Sequence, residues 1–284
     1  MFIYRILRML LPVTLFLASS TFLPARQGPK LSEEQIKEFL RTAKVVDSKR
    51  TSKGVTAPYQ LTMTDGTITH DAGFNYVDED KAKQVFNDGH VEFNFKDSYK
   101  YDIAAYELAK LLGLGDMMPV TVERKWNNKW GAISWWIPTM MDEVTRLNKK
   151  IEPPNPDAWN RQMYKKRIFA ELVCDTDINL TNILITDDWR LYMIDFTRAF
   201  RRDKEIRDKS NITKSMCERR LLERLKNLDR KELAVNTKYK KTEYLSKGEI
   251  DGVMARRDKI VTLYMDLIAK KGEKEVLYDD LVVK

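Results

Sequence analysis

The sequence contains little histidine and little cysteine, and both shortages narrow the chemistry that it can support. Only His70 and His90 occur in 284 residues, which argues against a histidine-ligated metal site and against a Ser-His-Asp or Cys-His catalytic arrangement. The two cysteines, Cys174 and Cys217, could pair with each other, but they form no disulfide framework. An enzyme built from this chain must therefore use carboxylates, amides and lysines.

Zinc-finger spacing and aromatic RNA-binding signatures are also absent from the sequence, so nucleic acid is not an expected partner. The net charge is +8, from 50 basic and 42 acidic residues. The basic residues are spread along the chain, and segment 197–209 comes nearest to a patch. This modest excess favours phosphate-bearing ligands or an anionic membrane surface, and it is equally typical of a basic surface without a specific partner.

The N-terminus resembles an export signal. Two arginines precede an apolar run at 9–17, and the small residues Ala18 and Ser20 follow at the positions that a cleavage site requires. We interpret 1–26 as a cleaved signal peptide or, alternatively, as an uncleaved anchor with membrane association through residues 9–25. Both interpretations predict an exported protein, either periplasmic or membrane-anchored.

The rest of the sequence changes character after residue 136. Residues 27–136 are β-rich and carry an N-terminal helix and one prominent amphipathic helix, whereas residues 137–284 are mainly helical and contain one polar hairpin. In detail, we expect a helix at 32–44, a hairpin at Asp65-Gly66, a strand with Val91, Phe93 and Phe95 alternating, a helix at 101–112, and two strands joined by the turn Asn127-Asn128-Lys129. The pattern predicts an α+β fold with a small β-rich N-lobe and a helical C-lobe.

The polar hairpin of the second half concentrates short acidic and amide side chains beside apolar runs. Asp177 is followed by Asn182, the short strand 183–185, a turn and a second strand that ends in Asp195-Phe196. Because two adjacent strands joined by a tight turn bring their outer ends together, we expect Asn182 and Asp195 to lie at the same end. Asp177 lies one loop earlier on the same rim.

These residue types suit phosphoryl transfer. Magnesium prefers oxygen ligands, usually one or two carboxylates with waters and substrate phosphates. Transfer from ATP needs such a metal and an aspartate that orients or deprotonates the attacking hydroxyl. We therefore interpret Asn182 and Asp195 as candidate metal ligands and Asp177 as the candidate catalytic carboxylate. The alternative is that all three are polar turn residues that cap backbone groups.

The two segments DTDINLTNILI and LYMIDFTRAF resemble the catalytic hairpin of atypical protein-kinase-like folds. Asp177 and Asn182 have the spacing of the catalytic-loop Asp and Asn, and Asp195-Phe196 takes the place of the metal-binding Asp-Phe-Gly. The segment YDIAAYELAKLLGLGDMMPVTVER is similar to the helix of these families that bears an acidic residue. The families are the phosphatidylinositol lipid kinases, the HipA kinases and the secretory-pathway kinases of casein-kinase type. The chain most resembles uncharacterised exported bacterial members.

The resemblance implies a lysine that binds the nucleotide phosphates and pairs with an acidic residue on the helix. By register that lysine should stand near Asn75, and it does not. Lys96 is our candidate in its place, with Asp102 as its acidic partner, so that both residues are expected to bind the cofactor. The other nearby lysines are Lys81 and Lys83, and Glu107 is the second choice of acidic partner.

The resemblance thus implies an ATP- and magnesium-dependent phosphotransferase that acts on a hydroxyl of a protein or small molecule. Its partners would be a nucleotide and a hydroxyl-bearing acceptor. The alternative is a catalytically inactive kinase-like binding or scaffold protein of the cell envelope, which the residue at Asn75 and the export signal favour. Nucleotidyl transfer onto protein by the same fold is a third hypothesis.

Overall fold

The computed structural model describes residues 31–51, 58–86 and 88–279. The predicted export segment 1–26 lies outside the described residues, so its interpretation stays a prediction. The described residues from Glu33 onward belong to one compact unit. Within the described ranges, no helix is both long enough and apolar enough to cross a membrane.

The N-terminal half contains the helices and strands that the sequence predicts, together with further strands. In chain order they are α1 (Glu33–Thr42), β1 (Lys44–Arg50), β2 (Tyr59–Thr64), β3 (Thr69–Asn75), β4 (Asp78–Val85), β5 (Val91–Ser98), α2 (Tyr99–Leu111), β6 (Thr121–Trp126) and β7 (Lys129–Trp135). Local chemistry explains where α2 begins and where the chain turns between β6 and β7. Ser98 caps α2 by accepting a hydrogen bond from the Lys100 amide. Asn127 and Asn128 both have a positive φ, 48° and 61°, which suits the two-residue hairpin between β6 and β7.

Five strands form one antiparallel sheet in the order β1-β2-β3-β7-β6. One face of this sheet packs against α1, and the buried residues of that layer are Phe39, Leu40, Ala43, Leu61, Met63, Ala72, Phe74, Val122 and Ile133. Side chains alternate along a strand, so Gly73 and Asn75 face the other way, as does Ala132. Ala132 belongs to the larger core that includes α2. The core of α1 and the core that includes α2 therefore lie on opposite faces of the sheet, while Lys110 of α2 still reaches Glu33 of α1 at 2.9 Å.

Strands β4 and β5 form a separate hairpin next to this sheet. The predicted strand in which Val91, Phe93 and Phe95 alternate is β5, where Phe93 is 70% exposed while Phe95 is 5% exposed. Asn94, between them, has a left-handed backbone with φ 52°, which breaks the regular alternation. The three alternating residues therefore do not lie on one buried face of the strand.

The C-terminal half is mainly helical. Its elements are β8 (Met141–Asp142), α3 (Glu143–Asn148), α4 (Pro156–Val173), β9 (Ile183–Ile185), β10 (Leu191–Met193), α5 (Lys209–Thr213), β11 (Cys217–Glu218), α6 (Arg219–Asn227), α7 (Arg230–Asn236), β12 (Lys238–Tyr239), β13 (Thr242–Glu243), α8 (Lys247–Lys271), α9 (Glu273–Val276) and β14 (Leu277–Tyr278). Two caps fix the long helices. The Asn155 side chain accepts from the Ala158 amide at the start of α4, and Ser246 and Glu249 form a reciprocal capping box at the start of α8.

The α+β class predicted from the sequence is confirmed, with an antiparallel sheet in the first half and a helical second half. Strand β9 lies between β8 and β10 in a small sheet of the helical half. The chain thus passes from the large sheet through residues 136–140 directly to the edge of the hairpin that carries the candidate site. The division at 136/137 into lobes stays a prediction.

Candidate active site

Strands β9 and β10 place Asn182 beside the strand end that carries Asp195. Ile183 pairs with Met193, and the Asn182 carbonyl accepts a hydrogen bond from the Ile194 amide at 3.1 Å. Asn182 therefore lies across the hairpin from Ile194, one residue before Asp195. The apolar residues of both strands hold this register, because Ile183, Ile185, Leu191 and Met193 are buried in the main core.

Asp195 is held in an unusual backbone conformation. Its φ of 61° lies in the left-handed region, which a non-glycine residue adopts at an energetic cost and which often occurs at functional sites. The Thr197 hydroxyl donates to Asp195 Oδ1 at 3.1 Å. Phe196, the next residue, packs edge-to-face on Phe169 in the core at 5.4 Å between ring centroids. The buried Phe196 thus anchors the strand end and leaves the Asp195 carboxyl in contact with solvent.

Protein surrounds the Asp195 carboxyl on most sides, although the residue as a whole is exposed. This desolvation raises the pKa of Asp195 to about 6, and the neighbouring negative charges of Asp177, Asp97 and Asp175 raise it further in the same direction. The Thr197 hydrogen bond acts in the opposite direction. Asp195 is thus an anionic group that lacks a compensating cation among these neighbours.

Asp177 lies in the loop after α4, which holds it by local hydrogen bonds. Its amide donates to Asp175 Oδ1 at 3.0 Å, and its carbonyl accepts from the Asn179 amide at 2.8 Å. Asp175 is itself buried, and this burial is the main reason why its pKa is raised. Asp175 therefore shapes the loop that presents the half-buried Asp177.

Asp102 lies on the first turn of α2 and contacts the candidate metal-binding strand end directly. Its Oδ1 accepts a hydrogen bond from the Phe196 amide at 2.7 Å. Desolvation and the nearby charge of Asp195 raise the pKa of Asp102 well above its usual range. Asp102 thus connects α2 to the residue that follows Asp195.

The structure does not bring Lys96 to Asp102, so the predicted ion pair between these residues was wrong. Lys96 Nζ bonds Glu249 Oε1 at 2.8 Å and lies 5.2 Å from the centre of the Tyr101 ring. The reason is strand geometry: successive side chains on β5 point to opposite sides, and Asp97 takes the side that faces the acidic residues. A role for Lys96 in binding the cofactor stays a prediction.

The substitutes considered from the sequence also have other partners. Lys81 pairs with Glu79 at 2.6 Å, and Lys83 is exposed on β4. Glu107 pairs with Lys110 at 2.8 Å. None of these contacts supplies the lysine–carboxylate pair that the resemblance implies.

Asp97 is a site residue that the sequence analysis missed. Its Oδ1 is a buried oxygen without a hydrogen-bond partner in the described part of the chain. Its pKa is raised, mainly by desolvation and also by the charges of Glu79 and Asp177, while Thr197 and Arg198 act in the opposite direction. The sequence shows that Asp97 directly precedes Ser98, the residue that caps α2. The side of the strand on which the Asp97 carboxylate lies could be seen only in the structure.

We call Asp97, Asp102, Asp175, Asp177 and Asp195 the cleft cluster. The pKa values of Asp97, Asp102, Asp175 and Asp195 are raised by desolvation and by negative charges within the cluster. Asp97 Oδ1 has no hydrogen-bond partner among the described residues, which fits a site for a cation. Among residues 31–51, 58–86 and 88–279, no three His, Cys, Asp or Glu side chains are placed to hold a metal by themselves. A magnesium site needs only one or two protein carboxylates, because waters and substrate phosphates supply its other oxygen ligands. The assignment of Asn182 and Asp195 as metal ligands stays a prediction.

The sheet, the helix α2 and the hairpin β9–β10 together define an atypical kinase-like fold, as predicted from the sequence. The structure is similar to that of hydra Fam20, solved with sugar, with a TM-score of 0.64 and 14% identity, over 88% of this chain and 93% of that chain. The Helicobacter pylori proinflammatory kinase CtkA matches with a TM-score of 0.49 and 9% identity, over 84% of this chain and 98% of that chain. No protein-family model matches the sequence. No curated protein matches it significantly.

Proposed function

We propose that the protein is an ATP- and magnesium-dependent phosphotransferase that acts on a hydroxyl group. The observation that carries this proposal is the cleft cluster, where Asp195 forms no ion pair with a described residue and follows Ile194, which pairs with Asn182 across the hairpin. A kinase-like fold needs oxygen ligands at that position, because a divalent cation neutralises the phosphates during transfer. Such a cation would supply this electrostatic stabilisation when it is bound.

The roles of the individual residues follow from their positions. Asn182 and Asp195 would hold the cation, with Asp102 close enough to Asp195 to share in that task. Asp177 would orient or deprotonate the acceptor hydroxyl, since it is half-buried on the same rim and its loop is fixed by Asp175. The neighbour solved with sugar suggests a sugar hydroxyl as an acceptor to test besides serine and threonine.

Two observations favour the inactive alternative. Lys96 is engaged by Glu249, and Asn75 occupies the position on β3 where the resemblance implies a lysine. A protein of this kind would bind a nucleotide weakly or not at all and would serve as a kinase-like binding module.

A thermal-shift titration with ATP and Mg²⁺ separates the two. A ligand present at 100 times its Kd adds about 2.7 kcal/mol to the free energy of unfolding, which gives a measurable shift. We expect a shift in the parent protein and none in Asp195→Ala. Asp187→Asn is the matched control, because Asp187 is exposed in the turn of the same hairpin and should keep the parent response. A well-folded parent without any shift would support the binding-module alternative.

A further inference from the structure

Glu92, on β5, binds two arginines of the segment that follows Asp195. One Glu92 carboxylate oxygen accepts a hydrogen bond from Arg198, and the other accepts one from Arg201. Arg201 also donates to the Asn94 carbonyl at 2.9 Å, which the left-handed backbone of Asn94 presents. The three charged side chains are only 11–19% exposed. This is a largely buried, charge-assisted contact and not a solvated basic surface.

The two arginines are also close to the cleft cluster. The Arg198 carbonyl accepts hydrogen bonds from both the amide and the hydroxyl of Thr176, the residue before Asp177. Arg201 makes a longer contact with the Thr176 hydroxyl at 3.4 Å. The positive charge of Arg198 also acts on the Asp97 carboxyl. Arg198 therefore has anionic neighbours on both sides, Glu92 on the hairpin and Asp97 in the cluster.

Arg198 and Asp97 each have a buried polar atom that lacks a partner. Among the described residues, Arg198 Nε and Asp97 Oδ1 are both buried without a hydrogen bond. An unpaired donor and an unpaired acceptor, both desolvated, would gain free energy by pairing. Glu92 instead binds the guanidinium of Arg198, whose central carbon lies 5.4 Å from the centre of the Phe86 ring and 5.2 Å from that of the Phe95 ring. The contact between Arg198 and Glu92 thus competes with an ion pair between Arg198 and Asp97 of the cleft cluster.

We propose that Glu92 is a positioning residue that keeps Arg198 and Arg201 out of the cleft cluster and so leaves the cluster free to bind a divalent cation. This inference rests on the proposed function. A guanidinium that paired with Asp97 would place a positive charge where the cation must sit. It would then compete with the cation for the same carboxylates. Glu92 acts through the arginines and needs no contact with the cation itself.

The test is a titration of the protein with Mn²⁺ alone, followed by the electron paramagnetic resonance signal of free Mn²⁺. Four proteins are compared: the parent, Glu92→Gln, Arg198→Gln and the double variant Glu92→Gln/Arg198→Gln. We expect Glu92→Gln to weaken Mn²⁺ binding by roughly 10- to 100-fold, the range found when groups that support metal ligands are removed. The double variant should regain most of the parent affinity, because the arginine that competes is gone.

The rescue distinguishes this role from a merely structural one, since a second substitution in a damaged region would lower the affinity further. Asp78→Asn is the matched control. It breaks the pair between the same hairpin and Lys100, at 2.8 Å, and should leave Mn²⁺ affinity at the parent value. Parent-like affinity in Glu92→Gln, or a double variant as weak as the single one, would overturn the inference. A parent that binds no Mn²⁺ would instead overturn the metal site of the proposed function, and this inference with it.

Discussion

Acidic residues behave in opposite ways in two neighbouring regions of this molecule. Around α8 and the β4–β5 hairpin three acidic side chains each pair with a cation: Glu249 with Lys96, Asp78 with Lys100 and Glu92 with two arginines. The pKa values of Asp78 and Glu249 are lowered. Desolvation alone would raise them, but the hydrogen bonds from these lysines and from the other donors have the larger combined effect. In the cleft cluster the pKa values of Asp97, Asp102, Asp175 and Asp195 are raised.

We interpret this difference as one between structural charges and candidate functional ones. A protein gains nothing in stability by gathering carboxylates that repel one another, so the cleft cluster indicates a role outside folding. In the other region, which we call the paired region, the ion pairs of Glu249, Asp78 and Glu92 hold neighbouring elements together. The predictions below test whether the two regions differ in this way.

The largest effect is expected at Asp177. Replacement by Asn keeps the size of the side chain but removes the carboxylate that would orient or deprotonate the acceptor, so the rate of transfer should fall by about 10²–10⁴-fold. Initial rates with ATP, Mg²⁺ and a panel of sugar and peptide hydroxyl acceptors measure it. Thermal shifts with ATP and Mg²⁺ should stay at the parent value. Equal rates in parent and variant would remove Asp177 from the mechanism.

In the paired region the same kind of substitution should cost stability instead. Glu249 is 3% exposed and accepts hydrogen bonds from Lys96, from the Tyr101 hydroxyl at 2.5 Å and from the Ser246 amide. Glu249→Gln would leave Lys96 without its counter-charge and should lower the free energy of unfolding by about 2 kcal/mol, below the full value for a buried pair because Lys96 is partly exposed. Urea unfolding at pH 7 measures it. An unchanged midpoint would show that this pair is not structural.

The pH dependence of stability should differ in sign between the regions. The raised pKa of Asp195, about 6 against 3.8, means that the folded chain binds this proton more tightly than the unfolded chain. In metal-free protein this contribution is full below pH 3.8 and is lost as the pH rises through about 6. The lowered pKa of Glu249 has the opposite effect: its contribution is present above 4.5 and is lost as the pH falls through the folded value.

Urea unfolding in EDTA from pH 3.5 to 7.5 tests this contrast. Asp195→Asn should remove part of the decline between pH 4 and 7 and leave the acid limb unchanged. Glu249→Gln should instead flatten the acid limb. The account would be contradicted if Asp195→Asn changed only the acid limb.

The smallest effect is expected at Asp102. Asn at this position can still accept the hydrogen bond of the Phe196 amide, now at 2.7 Å, while the repulsion with Asp195 disappears. The melting temperature of metal-free protein at pH 7.5 should therefore rise by roughly 2 °C. The added stabilisation by Mg²⁺ should shrink at the same time. A lower melting temperature would show that the carboxylate has a structural partner.

The sequence predicts the features that depend on local spacing. The positions of Asn182 and Asp195 follow from two short strands and a turn, and the α+β class follows from hydrophobic periodicity. The partner of Lys96 could not be predicted in this way, because Glu249 is 153 residues away along the chain. Asp97 was missed because adjacent residues on a strand face opposite sides, and the sequence does not say which side faces the cleft. The basic segment after Asp195 was interpreted as a surface, since Glu92 is 106 residues from Arg198.

The central claim is that the cleft cluster holds a divalent cation together with a nucleotide. The most direct measurement is an anomalous difference map from crystals grown with Mn²⁺ and a non-hydrolysable ATP analogue. The account predicts a peak within coordination distance of the Asn182 side-chain oxygen and the Asp195 carboxylate, next to the phosphates. A bound analogue without a peak there, or a peak at another site, would contradict it.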